Sequence, residues 1–411
     1  MKHINFQVHS LGCKVNQYDG ADLQRRLVSA GFHNNSQPDF VIINTCSVTK
    51  KAILKDRQLI TKLKHKYPLA RLVVMGCWPQ TDRNVKEGLG DDNIILWGVG
   101  NLEGLVEKLK MEFELAFSCC SSDINNVLAP TDRSRYFLKI SDGCDQFCSY
   151  CIIPHARGRM KSRTLISLTR EAEAASLAGY REIILSGIHL GRYGEDFKNS
   201  KINLTYLLEK LLKIKELGRL RLSSIEINEV TDDLIKLIAK ESRICKHLHI
   251  SLQSGSTKIL HLMNRPYTAS YYKNRVLKIK REIPDIAIST DIIVGFPQES
   301  EEYFLDTYNL AQDIAFSKIH VFPFSAHEIT AAYRLADKVS GVIIKQRAKK
   351  LRELSLCQEK DYQDFILKMY KNKPLNLIKE KSDKSGFIRA KTEYGFDIYL
   401  NKLEAKRHIF L

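Results

Sequence analysis

Gly143-Cys144-Asp145-Gln146-Phe147-Cys148-Ser149-Tyr150-Cys151 sets three thiols in a short loop directly after an apolar strand pattern, Phe137 to Ile140. A structural zinc site usually shows paired Cys-x-x-Cys ligands that sum to four, and no matching second pair follows here. Three thiolates suit an incomplete shell: on a [4Fe-4S] cluster they leave one iron open to a substrate or cofactor. Outward from the loop, strand patterns recur at Glu182 to Leu185, Leu222 to Ile225, His247 to Leu252, Ile286 to Val294 and Lys318 to Phe322, with helical stretches between them. About six β/α units predict an open or partial barrel with its chemistry at the carboxyl ends of the strands.

Upstream the alternation is similar. Ile4, Phe6 and Val8 alternate with polar residues, while Phe40-Val41-Ile42-Ile43 and Leu72-Val73-Val74-Met75 are apolar runs of the kind buried in parallel sheets. Between them, Leu23, Leu27 and Ala30 run at helical spacing to Gly31, and Ile53, Ile60 and Leu63 form a second stripe before Pro68. Each strand pattern is followed by a cysteine: Leu11-Gly12-Cys13, Asn44-Thr45-Cys46 and Gly76-Cys77. Buried cysteines often serve as small hydrophobes, which explains one such residue but poorly explains three at equivalent strand ends. A metal or iron-sulfur site is the favoured reading.

Composition bounds the rest. The chain has 411 residues, 44% hydrophobic and 27% charged, which excludes collagen and disorder and allows two or three cores. No apolar run approaches the ~18 residues of a membrane span, and the N-terminal stretch has no apolar core of a signal peptide. The expectation is a cytoplasmic protein, in which 10 cysteines point to metal or redox chemistry rather than disulfides. Lys+Arg 64 against Asp+Glu 47 gives +17, which raises the prospect of a polyanionic partner and equally fits a merely basic soluble protein.

The CxxxCxxC loop with an aromatic before its last cysteine resembles the radical S-adenosylmethionine (SAM) superfamily, and the whole chain resembles the methylthiotransferases within it. Leu11 to Tyr18, Asn44-Thr45-Cys46 and Gly76-Cys77 look like their N-terminal signature, and Gly143 to Pro154 with Arg157-Gly158 like their central one. Leu185-Ser186-Gly187-Ile188-His189-Leu190, Ser251 to Ser256, Met263-Asn264-Arg265 and Thr290 to Pro297 resemble further blocks. The resemblance implies an α/β chain: an N-terminal parallel βαβ domain of Rossmann or flavodoxin-like type over 1–115, a linker over 116–134, a partial (β/α)6 TIM-type radical SAM barrel over 135–362, and a small C-terminal β module over 363–411.

It also implies two [4Fe-4S] clusters, one on Cys144, Cys148 and Cys151 that binds SAM and an auxiliary one on Cys13, Cys46 and Cys77. In the family one SAM methylates a sulfur on the auxiliary cluster, a second yields a 5′-deoxyadenosyl radical that removes a substrate hydrogen, and the methylthio group joins that carbon. Cofactor contacts are expected from Tyr150, Ser186, Gly187, Glu226, Ser251, Gln253, Ile293 and Val294. Cys119, Cys120, Cys245 and Cys357 lack partner spacing and read as structural thiols. An electron donor such as flavodoxin or ferredoxin is expected, and no membrane.

Family members act on position 37 of tRNA, in the anticodon loop, or on an aspartate of a ribosomal protein. Lys14-Val15-Asn16 resembles the branch acting on N6-threonylcarbamoyladenosine, where the isopentenyladenosine branch usually has Gln-Met-Asn. Ser223 to Glu226 and Ile319 to Ser325 look like the same branch, although His327 to Ala332 replaces its usual Arg and Gly-Thr-Pro-Ala run, and Ile227 an expected Pro. RNA contacts are expected from Arg157 and Arg159 beside the radical loop and from Lys373 and Arg389 in the tail, which resembles a TRAM module with Asn372-Lys373-Pro374 at its usual Gly-Lys signature. Lys368, Lys371, Lys379, Lys381, Lys384 and Lys391 would add phosphate contacts, and Phe387, Tyr394 and Phe396 stacking faces. The rival readings are a solvated tail, a non-catalytic iron-sulfur electron carrier, and an enzyme acting on isopentenyladenosine or on ribosomal protein.

Overall fold

Apolar runs flanked by helices bury both faces of a strand, and the N-terminal sheet shows the result. The computed structural model describes residues 3–82, 84–90, 93–114, 134–198, 201–380, 387–401, 406 and 409–410. Strands β1 (Asn5–Ser10), β2 (His33–Asn34), β3 (Phe40–Thr45), β4 (Arg71–Gly76) and β5 (Ile95–Trp97) form a wholly parallel sheet in the order β2-β1-β3-β4-β5. Helices α1 (Lys14–Ser29), α2 (Lys50–Lys66), α3 (Cys77–Thr81), α4 (Val85–Leu89) and α5 (Leu102–Glu112) connect and follow the strands. Phe6, Ile42, Val73 and Leu27 pack one apolar layer, and Val41, Val74, Ile60 and Trp78 the other. Each fully buried side chain of this size contributes roughly 1.5–3 kcal/mol. This strand order is the flavodoxin-like one, in which a ligand crevice opens outside the carboxyl ends of β1 and β3. Sequence periodicity gives β1, β3 and β4 but not β2 or β5, which are edge strands of two and three residues.

The larger unit begins at β6 (Arg135–Lys139). A two-residue pair, β7 (Ser141–Asp142) and β8 (Lys161–Ser162), brackets the cysteine loop and the short helix α6 (Ile153–Arg157). Then α7 (Leu165–Leu177), β9 (Glu182–Ser186), α8 (Leu204–Leu211), β10 (Arg219–Leu222), β11 (Ser224–Ile225), α9 (Asp232–Lys240) and β12 (His247–Ile250) follow. Helices α10 (Thr257–Leu262), α11 (Ala269–Glu282) and α12 (Glu301–Ile314) alternate with β13 (Ala287–Val294) and β14 (Lys318–Pro323). Two parallel sheets, β10-β9-β6 and β11-β12-β13-β14, meet where the chain runs from β10 into β11. Together they make a six-unit partial barrel whose edge strands, β6 and β14, do not pair. Leu138, Leu185, Leu222, Leu248 and Ile250 pack outward into one helix-covered core, so the alternate residues line the lumen.

Helix α13 (Gly341–Met369) runs unbroken through the expected division at 362/363, so the first residues assigned to the tail module are helical. Beyond it β15 (Asn376–Lys379), β16 (Ile388–Thr392), β17 (Asp397–Leu400) and β18 (Ile409–Phe410) form a small mixed sheet. Tyr394, 2% exposed, packs with Ile366, Leu375 and Leu377, and Phe396 is buried with them, so neither is a stacking face. The 116–134 linker up to residue 133, with Cys119 and Cys120, and also Lys381 and Lys384, lie outside the described residues. No helix among the described residues is long and apolar enough to cross a membrane.

A buried charge cluster joins this tail sheet to the barrel floor. Glu182, fully buried, accepts from Arg219 Nε at 2.6 Å and Arg221 Nε at 2.9 Å, and the two guanidinium groups also donate to the carbonyls of Asn376, Lys391, Thr392 and Glu393. Burial would raise the Glu182 pKa, but the attraction of Arg221 and Arg219 holds it well below the usual carboxylate range. A depressed carboxylate stabilises the fold above its ordinary value and loses that contribution as pH falls. Glu182→Gln is therefore expected to cost ~3–5 kcal/mol at neutral pH and to flatten the acid limb of stability, read as urea midpoints between pH 7 and pH 4. An unchanged midpoint at pH 7 would count against the cluster.

Candidate metal centres

Cys13, Cys46 and Cys77 stand at the carboxyl ends of β1, β3 and β4, at and beside the switch point of the sheet. Two glycines let the loops approach. Gly12 has φ +89°, and a Cβ there would lie 2.6 Å from Cys46 Cβ and 2.9 Å from its sulfur. Gly76 has φ +101°, and a Cβ there would strike Asn44 Oδ1 at 2.4 Å. Asn16 stitches the three loops: its Nδ2 donates to Leu11 O at 3.0 Å and Thr45 O at 2.7 Å, and its Oδ1 accepts from the Cys77 thiol at 3.9 Å. Asp56, buried beneath, accepts from the Cys46 amide at 2.9 Å.

The second set lies in the loop between β7 and α6. Gly143, φ +72°, is obligatory because a Cβ would meet Arg159 O at 2.0 Å. The Cys144 amide donates to Gly158 O at 3.0 Å, and its sulfur accepts from the Gln146 amide at 3.4 Å and lies 3.5 Å from His189 Nδ1. His189 is ion-paired in turn with Glu229. Arg265 Nη1 donates to Cys148 Sγ at 3.3 Å, while the same guanidinium pairs with Glu226 and its Nε donates to Tyr267 Oη at 3.0 Å. Ser149 fixes the loop tip through Leu262 O at 2.7 Å and, by its amide, Met263 O at 3.0 Å.

The donor chemistry fits clusters. Burial, reinforced by neighbouring thiols, pushes Cys46 and Cys151 up to about 12 and Cys77 up to about 11, although Arg157 works against the rise at Cys77. At neutral pH these sulfurs stay protonated unless a cationic group draws the protons off, which is what iron does to a thiol ligand. Among the described residues no three His, Cys, Asp or Glu side chains close round a single ion, and a cluster of several irons spaces its thiolates wider than one ion does.

The expected cofactor residues ring the same mouth. Ser186 and Gly187 end β9, Glu226 follows β11, Ser251 and Gln253 follow β12, and Ile293 and Val294 end β13. Ser186 donates to Leu138 O at 3.4 Å and Val294 is fully buried, whereas Gln253, φ +66°, bridges to Ile292. Tyr150 packs against the Met263 and Phe296 cluster. Inside the lumen, Asp291 accepts from Ser251 Oγ at 3.3 Å and lies 3.1 Å from His249 Nε2, with the His320 ring 5.5 Å from that of His249 between centroids and tilted by 51°. Lys14 is largely buried; its burial and the charges of Arg221 and Arg135 depress its amine, and Glu182 and Asp291 oppose them.

Arg157 departs from its expected RNA role. Its side chain is 0% exposed and donates to both oxygens of Asp142 at 2.9 Å, to Asp19 at 3.0 Å and to Asn16 at 2.6 Å, so it ties the radical loop to the auxiliary site. Arg159 is exposed. In the tail Arg389 is engaged by Asp397 at 2.6 Å and Lys391 by the same carboxylate at 2.5 Å, while Lys373 is exposed. His327 Nε2 lies 3.0 Å from Val48 O, beside the Cys46 loop. Asn16, His189 and Arg265 all stand within the quoted motifs, but their roles depend on contacts made across the fold and leave no spacing to read.

Comparison with known proteins extends these findings. The Radical SAM superfamily matches residues 138–311, and the Uncharacterized protein family UPF0004 matches residues 5–95. The chain is 35% identical to the Bacillus subtilis protein named threonylcarbamoyladenosine tRNA methylthiotransferase MtaB, over 92% of this chain and 85% of that one. It is 34% identical to a Clostridium tetani protein named tRNA-2-methylthio-N(6)-dimethylallyladenosine synthase, over 89% of this chain and 84% of that one. Among solved structures, the radical SAM methyltransferase TsrM from Kitasatospora setae shares the fold with a TM-score of 0.56 at 14% identity, over 81% of this chain and 77% of that one.

Proposed function

Because the chain belongs to the radical SAM methylthiotransferase family, we propose that it converts N6-threonylcarbamoyladenosine at position 37 of tRNA to its 2-methylthio derivative. The observation that carries the reading is the pair of three-cysteine sets, each at the carboxyl edge of its own sheet and joined through Arg157 and Asn16. A [4Fe-4S] cluster on Cys144, Cys148 and Cys151 with SAM supplies radical chemistry, and a second on Cys13, Cys46 and Cys77 supplies a sulfur-bearing site.

The chain's own residues arrange the rest. Arg265 offsets the charge of Cys148 and orients Glu226, His189 lies against Cys144 and pairs with Glu229, and the residues at the ends of β9, β11, β12 and β13 would hold SAM. Apolar packing around Tyr150 keeps water from one side of the loop. An electron donor of the flavodoxin or ferredoxin class belongs to the same proposal, as do the domain divisions near 115 and 134.

Three relatives at 35% identity carry the threonylcarbamoyladenosine name, and charge supports that choice. The threonylcarbamoyl group ends in a carboxylate and an isopentenyl group does not. Lys14 and His249, both beside Asp291, offer donors that suit the former. The test is mass spectrometry of tRNA nucleosides from a host lacking its own methylthiotransferases, with this gene expressed. The expected signal is 2-methylthio-N6-threonylcarbamoyladenosine. A methylthio-isopentenyladenosine signal would keep the reaction and overturn the substrate.

A further inference from the structure

Asp56, on the second turn of α2, is fully buried beneath the Cys46 loop. Its Oδ2 accepts from the Cys46 amide at 2.9 Å, and its Oδ1 is buried with no hydrogen-bond partner among the described residues. Burial pushes its carboxyl up to about 7; the Cys46 amide opposes the rise, and no cation among the described residues joins it. Lys50, Lys51 and Lys55 of the same helix are exposed to solvent instead. Buried carboxylates are ordinarily paired, because desolvation costs more than one hydrogen bond returns. A lone one beside a metal ligand therefore points to a task other than stability.

The two cysteine sets differ in what surrounds their sulfurs. At the radical set, Cys148 takes an N–H from Arg265 at 3.3 Å and Cys144 lies 3.5 Å from His189. At the auxiliary set, Asp56 draws the Cys46 amide to itself and adds to the burial that pushes the Cys46 thiol up. The guanidinium beside Cys77, that of Arg157, is already shared between Asp142 and Asp19. Reduction adds an electron to a buried centre, so N–H donors and cations favour the reduced form of a cluster and a carboxylate disfavours it. We propose that Asp56 is a positioning residue that lowers the reduction potential of the auxiliary cluster, so that the electron delivered to this protein goes to the radical set. The proposal rests on the reading of Cys13, Cys46 and Cys77 as cluster ligands. One electron leaves a donor of the flavodoxin or ferredoxin class and the same electron reduces the radical cluster for SAM cleavage; an electron stopped at the auxiliary cluster would cleave nothing.

The experiment is a potentiometric titration followed by electron paramagnetic resonance at about pH 8.5. It uses the cluster-loaded full chain carrying Cys148→Ala, so that the auxiliary cluster alone gives the signal. Asp56→Asn keeps the shape and an acceptor for the Cys46 amide without the charge, Asp56→Ser is a second neutral variant, and Asp56→Glu is the conservative one. Iron content and thermal midpoints check loading and folding. The expected result in both neutral variants is a rise in midpoint potential worth at least about tenfold in the redox equilibrium, ~59 mV for one electron, with recovery to within about twofold in Asp56→Glu. With the radical set intact and reduced flavodoxin limiting, the share of electrons recovered as 5′-deoxyadenosine is expected to fall in Asp56→Asn. An unchanged midpoint in both neutral variants overturns the proposal. Absence of iron from the Cys148→Ala chain with Asp56 in place removes the auxiliary-cluster reading itself, a distinguishable failure.

Discussion

Cys148→Ala is expected to abolish reductive cleavage of SAM, whereas Cys46→Ala leaves cleavage within a few-fold of wild type and stops methylthiolation. The division follows from where the sulfurs sit. Cys148 is on the barrel loop, held by Arg265, whose partners Glu226 and Tyr267 belong to the same barrel. Cys46 follows β3 of the flavodoxin-like sheet and is held by Asp56 and the glycine at position 12, both of that same unit. Each replacement removes one thiolate from one set, so reconstituted iron falls by about four atoms per chain in either case while only one loss silences cleavage. Release of 5′-deoxyadenosine and methylthio product would be measured on the same preparations. Parallel loss of cleavage in both variants would sink the assignment of separate tasks.

The parts of this arrangement visible in the sequence are those set by local rules. Parallel strands buried on both faces must be apolar runs, so Phe40 to Ile43 and Leu72 to Met75 announce β3 and β4, and a cysteine just after each run has nowhere to go but the carboxyl edge. Two-residue β2 is exposed and carries no such mark. Residues whose work is done across the fold were legible only as motif members: Arg265 reaches Cys148 across 117 residues of sequence, and Arg157 reaches Asn16 across 141. The tail misleads for the same reason. Tyr394 has the look of a stacking face until α13 extends past its expected end and covers it with Ile366.

Arg157→Met is expected to uncouple the two centres. The guanidinium is fully enclosed between Asp142 of β7 and Asp19 and Asn16 of α1, so a side chain of similar length without charge leaves two acids facing one another with Lys139 as their remaining cation. Breaking a buried pair in this way costs ~3–5 kcal/mol, and Lys139 places the loss toward the lower figure. Burial alone would raise the Asp142 pKa; Arg157 first and Lys139 second hold it below its ordinary value of 3.8. Its stabilisation is therefore present above that value and lost as pH falls, and Arg157→Met should lose less stability on acidification than wild type. Catalysis should suffer more than folding does. A shift of about 1 Å between reacting centres can cost ~100-fold, so methylthiolation is expected to fall by that order while SAM cleavage falls far less. Equal declines in the two rates would show that Arg157 serves only the radical loop, and that the two centres are aligned by other contacts along α1, such as the Tyr18 hydroxyl on Glu171 at 2.9 Å.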